Sequence, residues 1–144
     1  MTTQTGSTGN PLGTAGPIQD PSVAHRTFAE VCNSGDLEQL LAYYEPDAII
    51  AERTGELSRG IAAIRKHGED LLSLKPVMQI LASRTVLHGD FALLSSWWHC
   101  DATAPDGSAI QLEFRGSELL RRQLDGTWLI VIDNPWGAEV QSPH

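Results

Sequence analysis

The apolar positions of this chain change period part-way along it. In the first half they recur at three and four residues, the spacing of one helix face; beyond Pro76 they alternate as strands do. Residues 1–19 show neither period. They are rich in Thr, Gly, Ser and Pro, carry no charge before Asp20, and read as a disordered tail. Asp20-Pro21 then supplies a cap and a proline at the first helical position, and Val23, Ala24, Thr27, Phe28, Val31 and Cys32 fall on one face. Gly35 stops that helix. Asp36 caps a second, shorter one, where Leu37, Leu40, Leu41 and Tyr44 repeat at i, i+3, i+4 and i+7 and Pro46 is expected to end it. Ala48–Glu52 reads as a short strand and Arg53–Arg59 as a turn or short hairpin. Gly60 opens a third helix with Ile61, Ile64, Gly68, Leu71 and Leu72 along one side, and Pro76 marks its end.

Four strands follow: Val77–His88, Phe91–Thr103, Ala109–Gln123 and Trp128–Asn134. Tight turns at Gly89-Asp90, Pro105-Asp106-Gly107 and Asp125-Gly126 make them a meander. Strands this long must bend to wrap a core. The order predicts an α+β domain over residues 20–137, cone-shaped, with three N-terminal helices packed on a curved antiparallel β-sheet and a C-terminal tail at 138–144. A cone open at one end has a natural cavity for an apolar small molecule.

Composition narrows the function. A chain of 144 residues with 41% hydrophobic positions is the size of one domain and folds without disulfides or metal. Neither a membrane-spanning apolar run nor a signal sequence is present, so a cytoplasmic location and no membrane partner are expected. The net charge of −8 argues against nucleic acid, and Arg121-Arg122 reads as a solvated hairpin tip. Cys32 and Cys100 have no zinc-type spacing and are expected as free core thiols. No metal and no cofactor are expected. There is no GxSxG, P-loop, GxGxxG or HExxH pattern, which argues against nucleophile-type hydrolases, nucleotide-phosphate enzymes and dinucleotide oxidoreductases.

The candidate chemistry lies on the strands. In Ala109–Gln123 the even positions Ile110, Leu112, Phe114 and Leu120 are apolar, and Glu118 sits in their row, with Gly116 a possible bulge. A carboxylate lining an apolar cavity has a raised pKa and acts as an acid; the alternative is an ion pair with Arg84. In Phe91–Thr103 both faces are partly apolar, so one faces the pocket and the other a second subunit, giving a homodimer through the back of the sheet. Trp97 and His99 share a face and Trp98 points the other way; His99 is the proton-shuttle candidate, or else a structural histidine. His25, His67 and His88 look like surface residues. Glu52 shares a side with Ile50 and is a candidate general base, or a surface partner of Arg53 or Arg59. Asn134 shares a face with Ile130 and Ile132 and can offer a hydrogen bond to a ligand, or else Asp133-Asn134-Pro135 is only a turn. The expected ligand-binding set is Phe28, Arg84, Trp97, Phe114, Ile132, Asn134 and Trp136; the catalytic set is Glu52, Glu118 and His99.

Asn33-Ser-Gly-Asp36, Tyr44-Glu-Pro-Asp47-Ala-Ile-Ile, Gly55, Arg59-Gly60-Ile61 and Asp125-Gly126-Thr-Trp128 together resemble the SnoaL-like branch of the nuclear-transport-factor-two superfamily, which includes ketosteroid isomerase and polyketide cyclases. The resemblance spans roughly residues 20–137 and is greatest to SgcJ-type proteins of enediyne polyketide biosynthesis. It implies a cystatin-like cone that binds a polyketide- or polyene-like intermediate and carries out proton-transfer chemistry (cyclisation, isomerisation or release). The alternative is a non-catalytic ligand-binding domain or a partner of a polyketide synthase. Carried over by position, the isomerase's general base falls on Glu52 and its protonated acid near Glu118. Its helix tyrosine falls on Phe28, which has no hydroxyl, so steroid isomerisation itself is not implied.

Overall fold

The computed structural model of the chain describes residues 16–137. After a single 3₁₀ turn at Pro21–Val23 come α1 (Ala24–Ser34), α2 (Leu37–Leu41), β1 (Tyr44–Ala51), β2 (Leu57–Arg59), α3 (Ile61–Ser73), β3 (Val77–His88), β4 (Phe91–Thr103), β5 (Ala109–Arg122) and β6 (Trp128–Asn134). Three helices pack on one face of a six-stranded sheet with strand order β2-β1-β6-β5-β4-β3. That face is called inner below and the opposite one outer.

The α+β class and the β3–β6 meander agree with the sequence reading. The sheet departs from it in being mixed, because β1 runs parallel to β6. β1 also starts four residues earlier than expected. Tyr44 opens the strand instead of closing α2, and Pro46 sits inside the strand where four β1 residues, 45–48, stand against Val131 alone of β6. Such a bulge leaves ladder positions empty, so a residue without an N–H costs nothing there. The tail expected over residues 1–19 is too long at its C-terminal side. Ile18 is 2% exposed in the core, its carbonyl accepts from the Trp128 N–H at 2.9 Å, and Gly16 O accepts from the Tyr43 hydroxyl at 2.8 Å. The rest of that tail, and the one at 138–144, lie outside the described residues.

Local chemistry anchors the helices. The Asp36 carboxylate accepts from Gln39 N at 3.1 Å and starts α2. Asn33 at the end of α1 both donates to Met78 O at 3.1 Å and accepts from Met78 N at 2.7 Å, so its amide ties α1 to the edge strand β3. A Cβ on Gly68 of α3 would lie 2.9 Å from Leu37 Cδ1, so the absent side chain lets α2 and α3 approach closely. Arg121 and Arg122 are exposed, as expected of a solvated pair, and each also holds a carboxylate: the first Glu45 of β1 and the second Asp90 of the β3–β4 turn.

Candidate active site

The inner face and the helices enclose a cavity of about 460 Å³. Its wall is mainly apolar and aromatic. Trp98 of β4 stacks on Phe114 of β5 with centroids 5.8 Å apart and planes 2° apart, as cross-strand neighbours in register. The rings of His25 and Phe28 from α1 meet Trp98 edge-on at 5.7 and 6.0 Å. Trp136, just past β6, leans on Phe114 at 5.3 Å, and the Arg53 guanidinium lies 4.2 Å from its ring centre.

Four carboxylates line this apolar space: Glu52, Asp70, Glu118 and Asp133, with Asp70 held by Lys66 at 2.7 Å. Glu118 and Asp133 are direct cross-strand partners on β5 and β6, 8% and 6% exposed. Two like charges opposite each other in a buried sheet are unfavourable, so such a pair holds a proton between its members. Burial, then the Glu118 carboxylate, then Glu52 push Asp133 up to about 7, and a hydrogen bond from the Tyr44 hydroxyl at 2.6 Å opposes them in part. Asp133 therefore holds its proton up to about pH 7. On the other side Glu118 Oε1 lies 2.5 Å from His25 Nε2. Two hydrogen-bonded pairs, His25–Glu118 and Tyr44–Asp133, thus sit side by side on the cavity wall, their carboxylates on register partners of β5 and β6. Burial and Asp133 hold the Tyr44 phenol well above its ordinary pKa, so it stays a hydroxyl donor.

Glu52 stands apart from those pairs, just past β1. Ser58 Oγ of β2 donates to it at 2.7 Å, and His67 Nδ1 of α3 lies 3.1 Å away. It is only partly buried.

Of the residues singled out from sequence, Glu52, Glu118, Phe28, Phe114 and Trp136 line the cavity. The others do not. Trp97 and His99 face outward while Trp98 faces inward. His99 meets Asp101 at 3.2 Å and Glu113 at 3.9 Å on the outer face. Arg84 lies opposite Ser95 on that same face and makes no ion pair with Glu118, whose partner is His25. Ile132 and Asn134 do share a face, but it is the outer one. Leu119 pairs with Ile132 and Leu120 with Ile130, so Val131 is an extra residue that reverses the alternation after Ile130. The same bulge turns Asp133 inward. Gly116, the expected bulge site, pairs regularly with Ser96.

Sequence reasoning missed Asp133, Trp98 and the Tyr44 hydroxyl, and it placed on the surface two histidines, His25 and His67, that line the cavity. Two of these carried a signal. His25, Phe28, Ala29 and Cys32 share one helical stripe, and Trp98 alternates with Leu94, Ser96 and Cys100. Asp133 carried none, because nothing in Ile130-Val131-Ile132 announces the bulge.

Gly116 lies beneath the acid pair. A Cβ there would stand 2.8 Å from Glu118 Oε2 and 3.2 Å from Pro135 O. Gly116→Ala is therefore expected to push the Glu118 carboxylate off His25 and destabilise the fold by about 1–3 kcal/mol. Urea denaturation measures the loss, and the His25 imidazole resonances report the displaced partner.

The comparisons with known proteins agree with this architecture. The model of the SnoaL-like domain matches residues 25–130. The chain belongs to the SnoaL-like domain family. Among solved structures, this SnoaL-like chain is similar to a nuclear transport factor 2 (NTF2-like) superfamily protein from Salmonella enterica serovar Typhimurium. That pair has 17% identity and a TM-score of 0.74, covering 88% of this chain and 94% of that one. It is also similar to a ketosteroid isomerase-like protein from Erwinia carotovora, at 16% identity and TM-score 0.68, covering 78% and 89%. A third is the association domain of C. elegans CaMKII, at 16% identity and TM-score 0.64, covering 81% and 92%. Identities this low establish the shared cone and no shared activity. No curated protein matches the sequence at a significant level. Among the described residues no helix is long and apolar enough to cross a membrane, and no cluster of His, Cys, Asp or Glu is arranged to hold a metal ion.

Proposed function

We propose that this SnoaL-like protein catalyses proton transfer next to a carbonyl group of an apolar, polyketide- or polyene-derived molecule held in the cone. One observation carries the reading: a buried carboxyl kept neutral at Asp133 shares an apolar cavity with the hydrogen-bonded carboxylate Glu52. The Glu52 carboxylate removes the α-proton. As the electron pair moves onto the carbonyl oxygen, that oxygen accepts a hydrogen bond from the Asp133 carboxyl, whose own charge was the unfavourable state. The proton on Glu52 then returns to another carbon, giving isomerisation, or goes to a departing β-hydroxyl, which leaves as water as the C=C bond forms. Neither outcome needs a co-reactant. His67 and Ser58 orient Glu52; His25 holds Glu118 in place opposite Asp133. Aromatic faces at Trp98, Phe114 and Phe28 suit a flat or polyunsaturated ligand.

The test is hydrogen–deuterium exchange at the α-carbon of an apolar bicyclic ketone such as 2-tetralone in D₂O, followed by NMR. Exchange above the buffer rate is expected. Saturable binding without exchange would favour the second reading, a ligand-binding domain or a polyketide synthase partner. That reading is supported by Phe28, which brings a ring and no hydroxyl to the cavity.

The homodimer belongs to this proposal too. Val86, Leu93, Leu119 and Ile132 form one cross-strand row on the outer face, and Val86, Leu93 and Ile132 are well exposed. A second copy seated on this row would bury it, in keeping with an association domain among the structural relatives. Sedimentation equilibrium is expected to show a dimer in the wild type and a monomer in Leu93→Glu.

A further inference from the structure

The inner cavity has a mouth and a floor, and the exposure of its lining tells them apart. Lys66 and Asp70 of α3 line one end, with side chains 71% and 64% exposed. Ile18, Ala24, Leu120 and Ile130 line the other, all apolar and at most 4% exposed. The strands fix the order between these ends. Leu120 and Ile130 are register partners on β5 and β6, one inward row below the partners Glu118 and Asp133. Phe114 and Trp136 lie on the other side of that acid pair along the same strands, toward the mouth.

Ile18 is the lowest of the floor residues. Its carbonyl accepts from the N–H of Trp128, two residues before Ile130 on β6. The segment that carries it crosses the end of the cavity and is tied on both sides of Ile18. Gly16 O accepts from the Tyr43 hydroxyl, and the Asp20 carboxylate accepts from Ser22 N at 2.9 Å to start the turn at Pro21. A floor tied in this way does not give when a ligand presses on it. From the acid pair down to the Leu120 row is two strand residues, about 7 Å. At about 1.5 Å per carbon–carbon bond, a staggered chain of roughly five carbons fills that depth. Toward the mouth the cavity opens and sets no such limit.

We propose that Ile18 restricts the ligand to ketones with one short apolar arm. The carbonyl meets Asp133, an arm of roughly five carbons reaches down to Ile18, and the other arm runs out past Phe114 toward the mouth. The length limit rests on the carbonyl's place beside Asp133 and not on any turnover there.

Symmetric n-alkyl ketones from 3-pentanone to 8-pentadecanone test it, because whichever way they enter, one of two equal arms points down. Tryptophan fluorescence gives the affinities, and the Trp98 indole resonance confirms that the inner cavity is occupied. In the wild type, affinity should rise about fourfold per methylene buried, peak near 6-undecanone and then fall. At equal carbon number, 2-tridecanone should bind about tenfold more tightly than 7-tridecanone, whose two arms are both too long. Ile18→Val and Ile18→Ala shorten the floor side chain and should lengthen the preferred arm by about one and about two carbons. The valine variant is conservative enough to keep the fold, which circular dichroism checks. Leu112→Ala, which makes room toward the mouth, should leave the preferred length unchanged. Affinity that climbs through 8-pentadecanone in the wild type, equal binding of the two tridecanones, or an optimum that Ile18→Val leaves in place would each overturn the assignment. So would an equal lengthening in Leu112→Ala, which would make total volume and not the floor the limit. A length optimum without α-proton exchange would keep the limit and remove the catalytic reading; exchange without a length optimum would do the reverse.

Discussion

Asp133→Asn is expected to stabilise the protein above pH 7 while removing its activity toward a ketone. Asp133 releases its proton at about 7 in the folded state, against the ordinary 3.8 of an exposed aspartate. Between these values the folded chain holds a proton that the unfolded chain has lost. Stability therefore falls as pH rises from about 4 to about 7, and levels off above the folded-state value. Three units correspond to about 4 kcal/mol, a large share of a small domain's total stability. Asparagine fills the same space, carries no charge and still accepts from the Tyr44 hydroxyl. The expected result is a difference between variant and wild type that is near zero at pH 4, grows to several kcal/mol by pH 8, and favours the variant. Urea denaturation across that range measures it. Parallel pH profiles for the two proteins would mean that Asp133 is ionised in the folded state, and the acid role assigned to it would fail. The stability forgone at neutral pH is what a functional carboxyl in an apolar wall costs.

Glu52→Gln is expected to lower α-proton exchange of a bound ketone by about 10²–10⁴-fold, the usual contribution of a positioned general base. Glutamine keeps the length of the side chain and its bond from Ser58, so ligand affinity and the folded spectrum should change little. The comparison separates two failures. Loss of exchange with affinity retained supports a base at Glu52. Exchange retained in full in Glu52→Gln would move the base to another group of the cavity and overturn the mechanism. A parallel loss of affinity would make Glu52 a binding residue.

The placement of Glu52 and Glu118 was legible because each obeys plain alternation from an apolar neighbour: Glu52 from Ile50, Glu118 from Leu120 and Phe114. His99 misled for an equally plain reason. Both faces of β4 are apolar, so alternation alone could not say which one the helices cover. Helix packing decided it, through His25 and Phe28 of α1 meeting Trp98 and leaving Trp97 and His99 to the outer face.

By itself the sequence determined the helix-then-meander order and the turns, because period, caps and Gly-Asp or Asp-Gly pairs are local properties of neighbouring residues. It also marked two glutamates, Glu52 and Glu118, as candidates for the lining of the cone, with a surface or ion-paired place as the alternative for each. Only the tertiary structure decided that β1 runs parallel to β6, that an extra residue at Val131 turns Asp133 inward and Ile132 and Asn134 outward, and that His25 meets Glu118 across 93 positions of chain. These depend on which strands pair and in what register. The free energy that settles register is spread over the whole packed sheet, and no single stretch of residues records it.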